Sequence, residues 1–412
     1  HQIFLNSNGV CTDTRKIEKN SVFFALKGAT FNGNKFAKKA LENGCNYAII
    51  DEKEFQEDER FILVNDVLNC LQQLATYHRK QLKCPVVGIT GTNGKTTTKE
   101  LIFNVLNSQY KTVATQGNLN NHIGVPLTLL STPLNTEMLI IEMGANHAGE
   151  IAFLCEISQP DFGIITNIGK AHLEGFGGYE GVIKTKSELY KFIERTNGKL
   201  FINSEDELLL SLSQYSERII YGENCSLISA NPLVEFSFKE TSISTKLIGS
   251  YNYPNLTTAC SIGDFFGISI ENCKSAIESY TPSNNRSQVE KSQKGNIIIM
   301  DAYNANPSSM QVAIQSFEQM EAKNKIAILG DMLELGEHSL KEHQRITKQL
   351  NKENFHQVVL VGNEFAQTKS DFIYFENTNQ VSHWIQKNPI QNSTVLLKGS
   401  RGIRLETLRE LL

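Results

Sequence analysis

The sequence predicts an α/β protein of three units: a smaller N-terminal α/β unit, a central unit on a mostly parallel sheet of the phosphate-loop type, and a C-terminal Rossmann-like unit. Three observations carry this. Short β-branched runs alternate with amphipathic stretches for most of the length, the pattern of layered α/β folds. Several of the apolar runs are apolar throughout, as parallel strands buried on both faces tend to be. The chain has 412 residues, enough for about three domains at roughly 150 residues each. The boundaries are expected at 1–83, 84–284 and 285–412.

In the first unit "SVFFAL", "YAII" and "FILV" read as strands, and "NKFAKKALENG" reads as a helix ended by Gly44. From "CPVVGIT" onward the order is strand, loop, helix, repeated. "PVVGIT", "KTVAT", "MLIIEMG", "FGIITNIG" and "KLFIN" are strands. Residues 227–249 hold extended runs without a helical period and predict a small antiparallel patch. "YNYPNLTTACSIGDFFG" predicts a helix packed back on the central unit. The polar stretch "TPSNNRSQ" marks the next boundary, and "NIIIMDAY", "KIAILGDM", "QVVLVG" and "TVLLKGS" supply the strands of the last unit. No tandem repeat or low-complexity tract interrupts this order.

Composition narrows the function. With 40% hydrophobic and 20% charged residues the chain is an ordinary globular one, and a net charge of −4 argues against a general nucleic-acid binder. The eight cysteines are scattered without a C-x-x-C pair, which predicts reduced, structural thiols. No apolar run approaches the roughly 20 residues of a membrane span, and no signal-peptide pattern is present, so a cytoplasmic protein is expected.

The stretch "VVGITGTNGKTTTKE", Val86 to Glu100, departs from the strict G-x-x-x-x-G-K-[ST] pattern, because Ile89 stands five residues before Gly94. Its physics is nonetheless that of a phosphate cradle. A glycine-containing turn between strand and helix directs backbone N–H groups and a helix N-terminus at phosphate oxygens. Lys95 can reach the β and γ phosphates, and Thr96 can offer its hydroxyl to Mg2+. "IIEMGANHAGE" puts Glu142 at the carboxyl end of a strand, where it is either a Mg2+ ligand or a solvated strand-end carboxylate. "TNIGKAHLEGFGG" repeats the design with His172 and Glu174; taken alone, His172 reads as a loop residue, since Mg2+ does not favour imidazole. Lys184 and Lys186 in "EGVIKTKSELY" read as a solvated helix face.

Together, "GTNGKTTTKE", "GNLNNHIGVPLTLL", "EMGANHAGEI", "TNIGKAHLEGFG", "KTKSEL", "DAYNANPSSM", "LGDMLELGEHS" and "LLKGSRG" resemble the Mur ligase family, in order and over nearly the whole chain. Members of that family use a G-T-x-G-K-T loop, which accounts for Ile89. The resemblance implies an ATP-dependent ligase that forms an amide bond through an acyl phosphate. "DAYNANPSSM" with "LGDMLELGE" points to the member that joins D-alanyl-D-alanine to UDP-N-acetylmuramoyl-tripeptide; the D-N-P-R stretch expected of the sister that adds the third peptide residue is missing. A sister ligase or a folate polyglutamating enzyme is the near alternative. A non-catalytic nucleotide-binding regulator is a more distant one, opposed by the joint presence of Lys95, Glu142, His172 and Lys186.

The resemblance also implies roles. Gly91, Thr92, Asn93, Gly94, Lys95, Thr96 and Thr97 would cradle the ATP phosphates. Thr96, Glu142 and His172 would be associated with Mg2+, of which two ions are expected, and Lys186 would be carbamylated to help hold the second. Lys95, His172 and Lys186 are thus the catalytic candidates. Asn252 and Asn255 match a G-x-H-N-x-x-N pattern near the adenine, with Tyr251 in place of the His. Arg286 in the hinge segment, Asn304 and Asn306 would also meet ATP. Asp13, Thr14 and Arg15 match a D-S-R segment, with Thr for Ser, at the uridine diphosphate end, and Asn121 and His122 are placed on the same substrate. Lys398, Ser400 and Arg401 are candidates for the dipeptide side. A monomer is expected.

Overall fold

The structure, a computed structural model, describes residues 1–282 and 286–412. The N-terminal unit is built on a parallel sheet of Val10–Cys11, Val22–Phe24, Tyr47–Ile50 and Phe61–Leu63, in that order. Alternation along the second strand feeds two cores. Val22 and Phe24 face the layer of helix Val67–Arg79, and Phe23 with Ala25 faces helix Ala37–Glu42. The latter helix ends at Asn43 and Gly44, whose φ of +112° lets the chain turn out of the helix.

The central sheet is wholly parallel, in the order Arg218–Tyr221, Lys199–Asn203, Phe162–Ile165, Val86–Thr90, Met138–Glu142, Thr112–Ala114. Val86–Thr90, buried at every position, lies between strands that leave in opposite directions through the sequence. The carboxyl ends flanking such a reversal form the crevice where open α/β sheets bind ligands. Beside this sheet, Cys225–Ala230, Leu233–Phe238 and Thr241–Ile248 form the expected antiparallel patch. Helix Tyr253–Phe265 then packs on helix Lys95–Asn107, and the approach is close: a Cβ on Gly263 would stand 2.4 Å from a Val105 methyl.

The last sheet runs Gln288–Lys291, Ile297–Asp301, Thr394–Lys398, Lys325–Gly330, Gln357–Val361, Ile373–Phe375. All pairs are parallel except the first, an antiparallel edge. The α/β class, the parallel central sheet and the Rossmann-like last unit are as expected. The boundary expected at 284/285 falls outside the described residues.

Candidate functional site

A cavity of 760 Å³ opens where the carboxyl end of the central sheet meets the C-terminal unit. Its floor is the loop Gly91–Gly94 and the first turn of helix Lys95–Asn107. Gly94 sits at φ +77°, and a Cβ there would come within 2.5 Å of Asn255 Oδ1, so the loop and the adjoining helix are shaped for glycine. The loop is clamped from the strand next to it. Asn93 N donates to Asn167 Oδ1 at 3.0 Å, and Thr166 Oγ1 donates to the Asn93 carbonyl at 2.7 Å. Lys95 folds over the loop, its Nζ donating to the carbonyls of Gly91 at 2.8 Å and Thr92 at 3.2 Å. Burial lowers the Lys95 pKa, and Glu142 pulls it back up.

Glu142 is 1% exposed, which excludes the solvated strand-end reading. Its Oε1 accepts from Asn120 Nδ2 at 2.8 Å and Thr96 Oγ1 at 3.2 Å, while its buried Oε2 has no hydrogen-bond partner among the described residues. The two lysines of the next segment separate: Lys184 is exposed, but Lys186 is 3% exposed and lines the cavity, with Nζ 5.5 Å from the Phe176 ring centre. The expectation of a solvated lysine face is therefore corrected for Lys186. Burial, and then the charge of Lys95, push its pKa down to about 7. The signal for this is in the spacing, since Lys186 stands four residues after Val182 and three before Leu189, both fully buried.

His172 has φ +49° and directs Nδ1 to Glu334 Oε2 at 2.6 Å. Burial lowers its pKa, against the pull of Glu334. Across the cleft, Asn306 caps helix Pro307–Gln319 and donates through Nδ2 to Asn93 Oδ1 at 2.8 Å, joining the C-terminal unit directly to the phosphate loop. Lys398, 2% exposed, is paired with Asp301 at 2.7 Å. Asn255 and Asn252 hydrogen-bond each other at 3.0 Å, and Tyr251 bonds Ser287 at 3.1 Å. The Arg286 guanidinium lies 3.9 Å over the Tyr303 ring.

The fold thus gathers Gly91 to Thr97, Asn121, His122, Glu142, His172, Lys186, Asn252, Asn255, Arg286, Asn304, Asn306 and Lys398 around one cavity. Asp13, Thr14, Arg15, Ser400 and Arg401 do not line it. Asp13 and Arg15 instead pair with each other at 2.7 Å on the N-terminal unit. Ser400 is buried and accepts from Leu333 N at 3.0 Å, and exposed Arg401 lies 5.7 Å from the Tyr303 ring centre. Asn120, Asn167, Tyr303 and Glu334 belong to the site without having been singled out, because side-chain amides, phenols and loop carboxylates carry no periodicity. Only the fold brings Asn120, Asn167 and Tyr303 to the cavity, and Glu334 to His172.

Comparison with known proteins gives three matches that run in chain order: Mur ligase family, catalytic domain, over residues 6–79; Mur ligase middle domain, over 89–263; and Mur ligase, glutamate ligase domain, over 285–401. A Bacillus subtilis protein named UDP-N-acetylmuramoyl-tripeptide–D-alanyl-D-alanine ligase is 34% identical, over 97% of this chain and 92% of its own length. The crystal structure of MurF from Acinetobacter baumannii superposes with a TM-score of 0.86 at 29% identity, covering 100% of this chain and 98% of that one. MurF ligase from Thermotoga maritima, solved in complex with ADP, gives 0.86 at 28% identity over 99% and 98%. With matching segments from residue 6 to residue 401, and a relative above 30% identity across nearly its full length, the chain belongs to the Mur ligase family.

Proposed function

We propose that this chain is the ATP-dependent ligase that joins D-alanyl-D-alanine to the terminal carboxylate of UDP-N-acetylmuramoyl-tripeptide, in peptidoglycan precursor synthesis. The observation that carries this reading is the convergence of Lys95, Thr96 and Glu142 from the central unit with Asn306 and Lys398 from the C-terminal unit on one cavity. That convergence supports a nucleotide and an acceptor meeting at a single seam. The tripeptide carboxylate attacks the γ-phosphorus of ATP, ADP departs, and an acyl phosphate forms. The dipeptide amine attacks the acyl carbon, phosphate leaves, and the amine gives up a proton. The protein's task is positioning and charge compensation.

Lys95, released from the Gly91 and Thr92 carbonyls, follows the β and γ phosphates. Gly91 to Thr97 supply backbone donors, and Asn252, Asn255, Arg286, Asn304 and Asn306 take the remaining nucleotide contacts. Asn121 and His122 hold the UDP-linked substrate on the cavity side, with Asp13, Thr14 and Arg15 at its uridine diphosphate end; Lys398, Ser400 and Arg401 attend the dipeptide.

The donor set suits Mg2+ at Glu142, whose buried Oε2 lacks a hydrogen-bond partner, with Thr96 beside it and His172 across the cavity. The chemistry Mg2+ supplies is neutralisation of charge on the phosphoryl oxygens. Lys186 as an ammonium is not a ligand. Its pKa near 7 leaves much of the amine neutral at physiological pH, able to attack CO2, form an N–C bond and release a proton. The resulting carbamate is an anion suited to a second Mg2+.

The test is phosphate release from ATP with UDP-N-acetylmuramoyl-tripeptide, with and without D-alanyl-D-alanine. Turnover that requires the dipeptide is expected. Turnover indifferent to it, or driven by a single amino acid instead, would transfer the chain to another ligase of the family.

A further inference from the structure

Lys99 stands outside every role assigned above. It lies on the second turn of helix Lys95–Asn107, three residues after Thr96 and four after Lys95, on the face turned to strand Met138–Glu142. Its side chain is 3% exposed, although lysine is almost never fully buried without a partner. Its one ion pair among the described residues is with Glu142: Nζ stands 3.7 Å from Oε2, the oxygen that no hydrogen bond reaches. The other oxygen already accepts from Thr96 and Asn120. Lys95, the other cation near this carboxylate, spends its Nζ on the loop carbonyls.

A buried carboxylate whose nearest donors are neutral carries a large desolvation cost unless a charge compensates it. Lys99 is that charge, held at a separation that leaves the Oε2 lone pairs open. From this geometry we infer that Lys99 is a positioning residue that shares Glu142 Oε2 with the divalent cation. It holds the carboxylate in place before metal binds, and its positive charge then weakens the metal's hold through like-charge repulsion at short range. A ligase that must release ADP and metal each cycle benefits from an affinity held down in this way.

The inference rests on the proposed Mg2+ role of Glu142, and the experiment separates the two. The full-length protein, stripped with EDTA, is titrated with MgCl2, and the melting temperature and the Mg2+ dissociation constant are read directly, without turnover. For the native chain a Mg2+-dependent rise in melting temperature is expected; its absence would remove the metal role itself. Lys99→Met should melt lower without metal, bind Mg2+ roughly tenfold more tightly, and recover more stability on binding it. Lys99→Arg should keep native behaviour. The double variant Lys99→Met with Glu142→Gln, which removes both charges, should regain metal-free stability and lose the Mg2+ response. A Lys99→Met protein whose Mg2+ affinity equals the native value would overturn the inference. So would one that stays unfolded at all Mg2+ concentrations while the double variant folds.

Discussion

Lys186 shows how a single residue's role depends on burial that its own stretch barely announces. In "GVIKTKSEL" two lysines flank a threonine, and polarity alone makes both solvated. The packing of Val182 and Leu189 selects the one that turns inward. Once inside, the amine loses its proton near pH 7, far below the usual lysine value of 10.5. Because the folded-state value is the lower one, the unfolded chain holds the extra proton between about 7 and 10.5. Stability from this group therefore rises with pH across that window, and below about 7 the buried cation weighs against the fold. In the proposed mechanism the same titration would govern carbamate formation, which needs the neutral amine. Turnover in bicarbonate-containing buffer is expected to climb as pH rises through about 7. Lys186→Ala should lower kcat by about 100-fold, the order that follows loss of one preorganised charge-stabilising group, and leave ADP affinity unchanged in calorimetric titration. A variant with native kcat would remove the carbamate from the mechanism.

Elements were legible where one physical signal dominated. The short, mostly apolar runs "PVVGIT", "MLIIEM" and "VLLK" read as buried strands, and they are, at Val86–Thr90, Met138–Glu142 and Thr394–Lys398. Elements that mix an apolar stripe with buried polar groups, or that are polar throughout, lack a single dominant signal. Helix Val67–Arg79 buries His78 and Arg79 along with its apolar stripe, because the imidazole bonds the Thr132 carbonyl and the guanidinium bonds the Ser158 and Gln159 carbonyls. Polar residues satisfied only by another unit cannot be told from surface ones in sequence. Strand Gln288–Lys291 is an alternating polar edge with one ladder partner. Loop residues such as Asn167 escape for the same reason. Helix Tyr253–Phe265 was legible as a helix, yet its closeness to helix Lys95–Asn107 rests on Gly263, where added volume meets Val105 Cγ1 at 2.4 Å and Cys273 Sγ at 2.9 Å. Gly263→Val should therefore destabilise the central unit by about 1–3 kcal/mol through overpacking, read as a lower urea midpoint with unchanged slope. Equal midpoints would mean that the two helices can separate at no cost.

At the scale of the whole molecule the two flanking units are joined to the centre by different physics. The N-terminal unit shares a continuous apolar cluster with the central one, from Phe4, Val22 and Phe24 through Leu71 to Leu139, Leu200 and Ile202. Arg79, 8% exposed, adds a 2.9 Å ion pair to Asp161 across the same seam. The clusters of the C-terminal unit take in only Ile248 from outside it among the described residues. Its seam with the centre is otherwise polar: Asn306 to Asn93, Lys170 N to Ser308 Oγ at 2.8 Å, Lys170 Nζ to Glu342 at 3.0 Å, and His172 to Glu334. Polar contacts of this kind exchange with water at small net cost, whereas an apolar core does not. The C-terminal unit is therefore the part expected to open for substrates and, in the proposed mechanism, to close over the acyl phosphate and exclude water. Scanning calorimetry of the ligand-free chain is expected to show two transitions, the C-terminal unit unfolding apart from the combined N-terminal and central units. On the proposed reading ADP with Mg2+ would bridge the polar seam, so at 100 times its dissociation constant it should add about 2.7 kcal/mol and draw the two transitions together. A single transition in the ligand-free chain would mean that these polar contacts already weld the units, and opening would then have to come from within the central unit.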